Sequence, residues 1–479
     1  MENIYRRFER LGLFLPEILL PATGVDIEKW AVIACDQFTQ DRGYWGKVKN
    51  AADGAPSTLN LIFPEVFLED EDKDARIGGI HGAMERYLAD GVFSRAGRGC
   101  VYIERNTPFN RGRRGLVMAV DLEHYDWRPE ARRLIRCTEG TVAERLPPRM
   151  DIRRSAALET SHVLLLVDDD EDRLFSALAK RAKERKPAYR SGLMLESGDV
   201  SGWLLDSEDD WKFIAAEFEE LSRRALTRYD SGGEPFLFAA GDGNHSLATA
   251  KEIWEEYKKN HGAGENPDGS FVDGLPDHPC RYALVEIENI YDPAVRFEPI
   301  HRILFGIDFD DTMALLSELP GFSSRIVQER RELVRLVNEP VAGKNRLGLI
   351  TAGKGADSNV NGDVAAGRYA LIETNAPGIA TAGLQPLLDR WVKSASQLAG
   401  NSGAARPSID YIHGEDELFR LAAGQTAAGI LLPPVRKSGL FETVARSGPL
   451  PRKSFSMGEA VEKRFYLECR KLFSASSGG

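Results

Sequence analysis

The residue types most able to do chemistry cluster in one short stretch, Gly241-Asp242-Gly243-Asn244-His245-Ser246. It follows an apolar run at residues 236–240. It precedes Leu247, Ala250, Ile253, Trp254 and Tyr257, which recur at threes and fours. That pattern predicts a strand, a tight turn and a helix. Such a junction exposes free backbone N–H groups at the positive end of the helix dipole, which favours an anion. Gly241 and Gly243 are expected to take positive φ and to let the backbone approach a ligand. Asp242 could hold a metal ion or act as a base. His245 could contact phosphate or move a proton, and Asn244 and Ser246 add polar contacts. The same letters also fit a plain Asp-Gly turn with Asn or Ser capping the helix.

Other motifs are weaker. The stretch partly fits the dinucleotide fingerprint, but Ser246 stands where glycine or alanine is expected, and no acid follows at the end of a second strand. Gly353-Lys354-Gly355 lacks the glycine spacing and the Ser or Thr of a Walker A loop, and no H-E-x-x-H occurs. Asn244-His245-Ser246 also spells a glycosylation sequon, without meaning in a cytosolic protein.

Arg136 lies with Thr138, Glu139, Arg149 and Arg153 in a polar stretch that could clamp a phosphate or form a salt-bridged surface. His413 ends an apolar strand just before Gly414 and Glu415, a strand-end position like that of His245. Lys453 follows Pro451 and could reach an anion. His301 sits among Phe297, Ile300, Ile303 and Leu304 and reads equally as a core histidine. Asp36 follows a buried run and could bind a metal or an amine; beside it Cys35 is a possible nucleophile for which the sequence names no base. His162 opens an apolar strand and receives no role.

These residues need a frame. The chain has 479 residues, ordinary globular composition and a formal charge of −11, which argues against nucleic acid or anionic membrane as the main partner. Length alone allows about three domains. Eight histidines and five widely spaced cysteines exclude a disulfide framework and familiar zinc spacings. The apolar runs are too short to cross a bilayer, and no secretion signal is legible, so a soluble cytoplasmic protein is expected. Helices are expected at residues 75–87, 171–185 and 209–226, and strands at 100–104, 114–121, 163–167 and 281–290. Beyond residue 308, strands alternate with helices, which argues for an α/β layer arrangement. The expectation is a mixed α+β fold with an N-terminal mixed-sheet lobe at 1–305, a C-terminal α/β lobe at 306–473 and a disordered tail at 474–479. Residues 262–279 and 353–367 read as loops.

Six segments carry a family resemblance in order along the chain: residues 29–37, 136–141, 241–250, 297–302, 409–414 and 451–455. On these the sequence resembles the prokaryotic family called domain of unknown function 1015, which has no settled activity. Its Asp-Gly-x-His turn is similar to the phosphate-binding turn of ParB/sulfiredoxin-like proteins, a superfamily that includes nucleotide-binding partition proteins and free-serine kinases. Two departures stand out: Ser246 replaces the arginine that often follows the histidine, and Asn244 occupies the place of sulfiredoxin's reactive cysteine. The resemblance implies a nucleotide (ATP or ADP) with Mg²⁺ and a small phosphorylated ligand. A phosphotransferase would use Asp242 and His245, with Arg136 neutralising charge. The alternatives are a metal-dependent hydrolase with Asp242, His245, His413 and His301 as ligands, and a non-catalytic ligand sensor.

Overall fold

A computed structural model describes residues 3–229, 233–261, 278–352, 367–376, 378–398, 407–424 and 426–473. The expected tail at 474–479, nearly all of the 262–279 and 353–367 loops, and Gly353-Lys354-Gly355 lie outside the described residues. The fold is mixed α+β, and the chain divides into two compact units. The first comprises Met1–Arg296, Val444–Pro449 and Met457–Gly479; the second comprises Phe297–Thr443 and Leu450–Ser456.

The first unit is built on a mixed sheet. Its strand order is Tyr189–Gly192, Asp199–Leu205, Cys100–Asn106, Arg113–Asp121, Tyr282–Asn289, Val163–Val167, Phe238–Asp242 and Ile135–Cys137. Tyr282–Asn289 runs parallel to Val163–Val167, and Phe238–Asp242 parallel to Ile135–Cys137; the other neighbours are antiparallel. Val163–Val167 is buried at every position, which is why it reads as a continuous apolar run rather than an alternating one. The helices Lys73–Ala89, Arg173–Lys183 and Glu208–Tyr229 fall where the helical spacing placed them. The polar stretch after residue 128 also contains a buried strand, Ile135–Cys137, and a helix, Leu146–Arg153. A three-residue strand is too short for its periodicity to show.

Two late strands return to the first unit. Phe465–Tyr466 pairs with Val32–Ile33, and Cys469–Lys471 pairs with Leu158–Thr160 and with Glu17–Pro21. Trp30, fully buried, donates its indole N–H to the Leu467 carbonyl at 3.0 Å. A buried ionic network holds the approach to these strands. Arg113 forks onto Glu288 with two bonds of 2.7 Å. Arg464 contacts Glu286 at 3.0 Å and also pairs with Glu468, which accepts from the Tyr189 hydroxyl. Arg105 donates to the Lys463 carbonyl at 2.7 Å, and Arg113 to the Glu462 carbonyl at 2.9 Å. Three guanidiniums thus face three carboxylates, the arrangement in which buried charge is tolerated. Burial pushes Glu288 up to about 7, against the pull of Arg113 and with the push of Glu286. Room for the network comes from the opposite strand: a Cβ on Gly115 would fall 2.3 Å from Glu286 Oε1.

The second unit has one sheet in the order Ser323–Val327, Arg368–Thr374, Asn345–Thr351, Ala427–Leu431, Phe297–Phe305 and Ser408–His413, every neighbouring pair antiparallel. Successive residues point to opposite faces. Leu304, Leu349, Ile372 and Ile430 join one apolar cluster; their neighbours Ile303, Ile350, Leu371 and Leu431 join another. The α/β layering therefore arises here with antiparallel rather than parallel strands. Among the described residues, no helix is long and apolar enough to cross a membrane.

Candidate functional site

The turn forms as its spacing requires. The strand Phe238–Asp242 leads through Gly243 into the helix Asn244–Asn260, which buries Leu247, Ala250, Ile253 and Trp254. The two glycines do different work. Gly243 has φ +77° and is the N-cap. A Cβ there would lie 3.0 Å from His162 Cδ2 and 3.1 Å from Val163 Cα. Gly241, expected to share the positive φ, does not. It sits where the register slips between Ala240 and Asp242, and a Cβ would fall 2.4 Å from Met457 Sδ. Both glycines are therefore set by packing inside the protein.

No side chain caps the helix, so the ordinary Asn or Ser cap is not what this turn uses. Asn244 sits just inside the helix and donates from Nδ2 to the Ala240 carbonyl at 3.3 Å. Its Oδ1 is buried with no hydrogen-bond partner among the described residues. Thr138 donates to the same carbonyl at 2.6 Å. Ser246 is half-buried in the first turn. His245 Nε2 accepts the Val142 N–H at 3.2 Å, so this imidazole pins the 138–142 loop beside the turn.

Charge converges on the turn from distant segments. Lys463 Nζ lies 3.0 Å from Asp242 Oδ2, while Asp242 Oδ1 accepts the Gly243 N–H at 3.0 Å. His162, packed against Gly243, places Nε2 3.6 Å from Asp36 Oδ2; Gln37 donates to Asp36 Oδ1 at 2.9 Å. Burial opposes the charge on Asp36, but His162, Gln37 and Lys463 outweigh it and hold its carboxyl well below the usual range. Burial likewise opposes the imidazolium, yet Asp36 and then Cys35 hold His162 well above its ordinary value. The side chains of His162 and Asp36 retain 15% and 26% of their exposure, so the pair remains open to solvent.

These shifts carry a stability prediction. The raised His162 contributes stability below its unfolded value, lost as pH rises through its folded value. The depressed Asp36 contributes above its unfolded value, lost as pH falls through its folded value. The pair therefore works across neutrality. His162→Gln is expected to cost about 1–3 kcal/mol at pH 7, and the difference from the parent should shrink towards alkaline pH. Urea unfolding at pH 6, 7 and 9.5 measures it.

Of the remaining sequence candidates, Arg136 belongs to the first unit and His413, Lys453 and His301 to the second. Arg136 is buried and reaches back along its strand, donating to the carbonyls of Arg133 at 3.0 Å and Glu234 at 3.2 Å and lying over the Phe236 ring. That is the opposite end from the turn, and burial, aided by Arg132, pushes it down to about 10. His413 and Lys453 belong to the second unit and are exposed. His301, also in the second unit, is buried and accepts the Leu432 N–H at 3.1 Å; burial, then Arg302 and His413, push it down to about 4. It is a satisfied core histidine. Lys463, His162 and Tyr466 had no spacing signal, because only sheet topology brings them to the turn.

A resident metal does not fit these residues. Magnesium takes oxygen ligands, whereas Asp242 faces an ammonium and an amide and Asp36 faces an imidazolium and an amide. Among the described residues no group of three or more His, Cys, Asp or Glu could hold a metal ion.

A search of curated proteins finds no match to this sequence. Among solved structures, this chain is similar to a mutant of free serine kinase in complex with AMP, at 12% identity and TM-score 0.37, over 74% of this chain and 92% of that one. It is also similar to a conserved hypothetical protein from Pyrococcus furiosus, at 12% identity and TM-score 0.31, over 73% and 90%. A third is SbnI with C-terminal truncation from Staphylococcus aureus, at 8% identity and TM-score 0.30, over 71% and 81%. Likenesses this distant carry no functional assignment. The family model for Protein of unknown function (DUF1015) matches residues 19–359, which include the Asp242-Gly243-Asn244-His245 turn, Asp36 and His162, and the chain belongs to that family.

Proposed function

We propose that the turn binds the phosphate of a nucleotide or another phosphorylated small molecule, and that the chain is a small-molecule phosphotransferase. One observation carries the reading: a helix N-terminus without a side-chain cap has the Lys463 ammonium and the His162 imidazolium beside it. Backbone N–H groups and two fixed cations suit a phosphoryl group, whose transfer depends on positioning and charge stabilisation. Asp242 would exchange Lys463 for a substrate hydroxyl and accept its proton. His245 acts here by holding the 138–142 loop. The similarity of the turn to that of ParB/sulfiredoxin-like proteins points the same way. Arg136, whose guanidinium is held by the Arg133 and Glu234 carbonyls, is given no role in this reading.

Calorimetry with ATP, ADP and AMP tests the proposal. At least one is expected to bind, and Lys463→Ala is expected to weaken it about tenfold or more, the worth of a charge-assisted hydrogen bond. Folded protein that binds none of the three ends the nucleotide reading. Binding without turnover of any small-molecule hydroxyl would instead make the chain a ligand sensor.

A further inference from the structure

We propose that Cys35 is a reactive thiol, activated by His162 and Tyr466, that exchanges with low-molecular-weight disulfides. The proposal does not rest on phosphate binding at the turn. The sequence names no base for Cys35; the structure supplies one from a segment more than a hundred positions away.

The hydrogen bonds about the Tyr466 hydroxyl determine where its proton points. The Cys35 N–H can only donate, and it donates to the Tyr466 oxygen at 3.0 Å. His162 Nδ1 lies 2.5 Å from the same oxygen, while Asp36 faces the other ring nitrogen. A carboxylate on Nε2 favours the doubly protonated ring, whose Nδ1–H then donates to Tyr466. The two lone pairs of the hydroxyl are thus taken by N–H donors. Its single proton is left for Cys35 Sγ, 3.4 Å away. The sulfur therefore accepts a hydrogen bond from the same hydroxyl that the His162 ring contacts. Phe38, held at φ +51° and stacked on Tyr44 with ring centres 3.7 Å apart, pins the turn that follows Cys35. Cys35 is half-buried, whereas Cys100, Cys137, Cys280 and Cys469 are fully buried. Burial pushes the Cys137 and Cys280 thiols up to about 12, and the other two higher.

In the exchange, Cys35 reacts as the thiolate, its proton already held on the His162 ring, and the sulfur attacks one sulfur of a disulfide RSSR. The new S–S bond forms as the old one breaks. The leaving RS⁻ carries away the bonding pair and takes the proton from His162. Cys35 is oxidised to the mixed disulfide and the other sulfur is reduced to RSH.

The test uses the full reduced chain and oxidised glutathione at pH 7, read by peptide mass spectrometry. The folded chain is expected to form one adduct, at Cys35, about tenfold or more faster than Cys35 reacts in the urea-unfolded chain. Tyr466→Phe and His162→Gln are each expected to slow the folded-state reaction about tenfold and to leave the unfolded-state rate unchanged. A folded-state rate no faster than the unfolded one would overturn the proposal, whatever the variants do. So would wild-type rates in both variants.

Discussion

Arg464→Leu is expected to remove about 3–5 kcal/mol of stability, the cost of leaving buried charge without its partner. Arg464 is the shared partner of Glu286 and Glu468, and all three are buried. Leucine takes one cation from a network of three and leaves Glu286 and Glu468 without the guanidinium they share. The deficit has a defined pH dependence. Burial opposes the charge on Glu286 and Arg464 is the strongest pull that outweighs it, so without Arg464 the folded variant holds the Glu286 proton to higher pH than the parent does. Its stability should fall as pH rises above about 4.5. The urea midpoint of the variant should therefore be higher at pH 5 than at pH 8. Adding Glu286→Gln and Glu468→Gln should recover part of the loss, because a neutral amide is cheaper to bury than a lone charge. A loss under about 1 kcal/mol at pH 8 would mean that the network is hydrated rather than buried.

Gly243→Ala is expected to act on both stability and ligand binding. The left-handed backbone alone costs about 1–2 kcal/mol for a residue with a Cβ, and the new methyl group meets His162 and the backbone of Val163. Backbone cannot yield as a flexible side chain can, so His162 must move and its contact with Asp36 must lengthen. Nucleotide affinity is expected to fall at least tenfold, about 1.4 kcal/mol. Gly241→Ala provides the contrast. Its nearest obstacle is Met457 Sδ, at the end of an adaptable side chain, and its φ is not positive. It should cost less and disturb binding less. Thermal unfolding and calorimetry on the two variants decide; equal effects would show that conformation at Gly243 is not what the turn requires.

The turn itself was legible because everything that makes it is local: an apolar strand, an Asp-Gly pair and a helical apolar stripe within some twenty positions. The mixed α+β class and the long helices were legible for the same reason. What completes the turn was not. Tyr466 arrives on a strand of two residues, too short for periodicity, Lys463 arrives on the turn just before it, and their partners lie hundreds of positions upstream. His162 looked like the first letter of an apolar strand and stands immediately before one, Val163–Val167; its chemistry comes from Asp36 and Tyr466. Arg136 misled in the opposite sense. Its neighbours are arginines and acids, but pairing with Phe238–Asp242 buries it, and its guanidinium is occupied by carbonyls at the wrong end of the strand. The glycine at 241 was assigned to ligand approach, and only the position of Met457 shows that it makes way for the protein's own side chain.

The return of residues 465–471 to the first unit has a consequence for biogenesis. The Trp30–Leu467 bond closes a separation of 437 residues. Chains grow from the N-terminus at about 5–20 residues per second. The first unit's early strands therefore wait tens of seconds on the ribosome for their last partners. During that interval Val32–Ile33 has an unpaired edge and Trp30 has no acceptor for its indole N–H, a state open to chaperones and proteases. A nascent chain stalled after residue 359 would contain the whole span matched by the family model and still lack Lys463 and Tyr466.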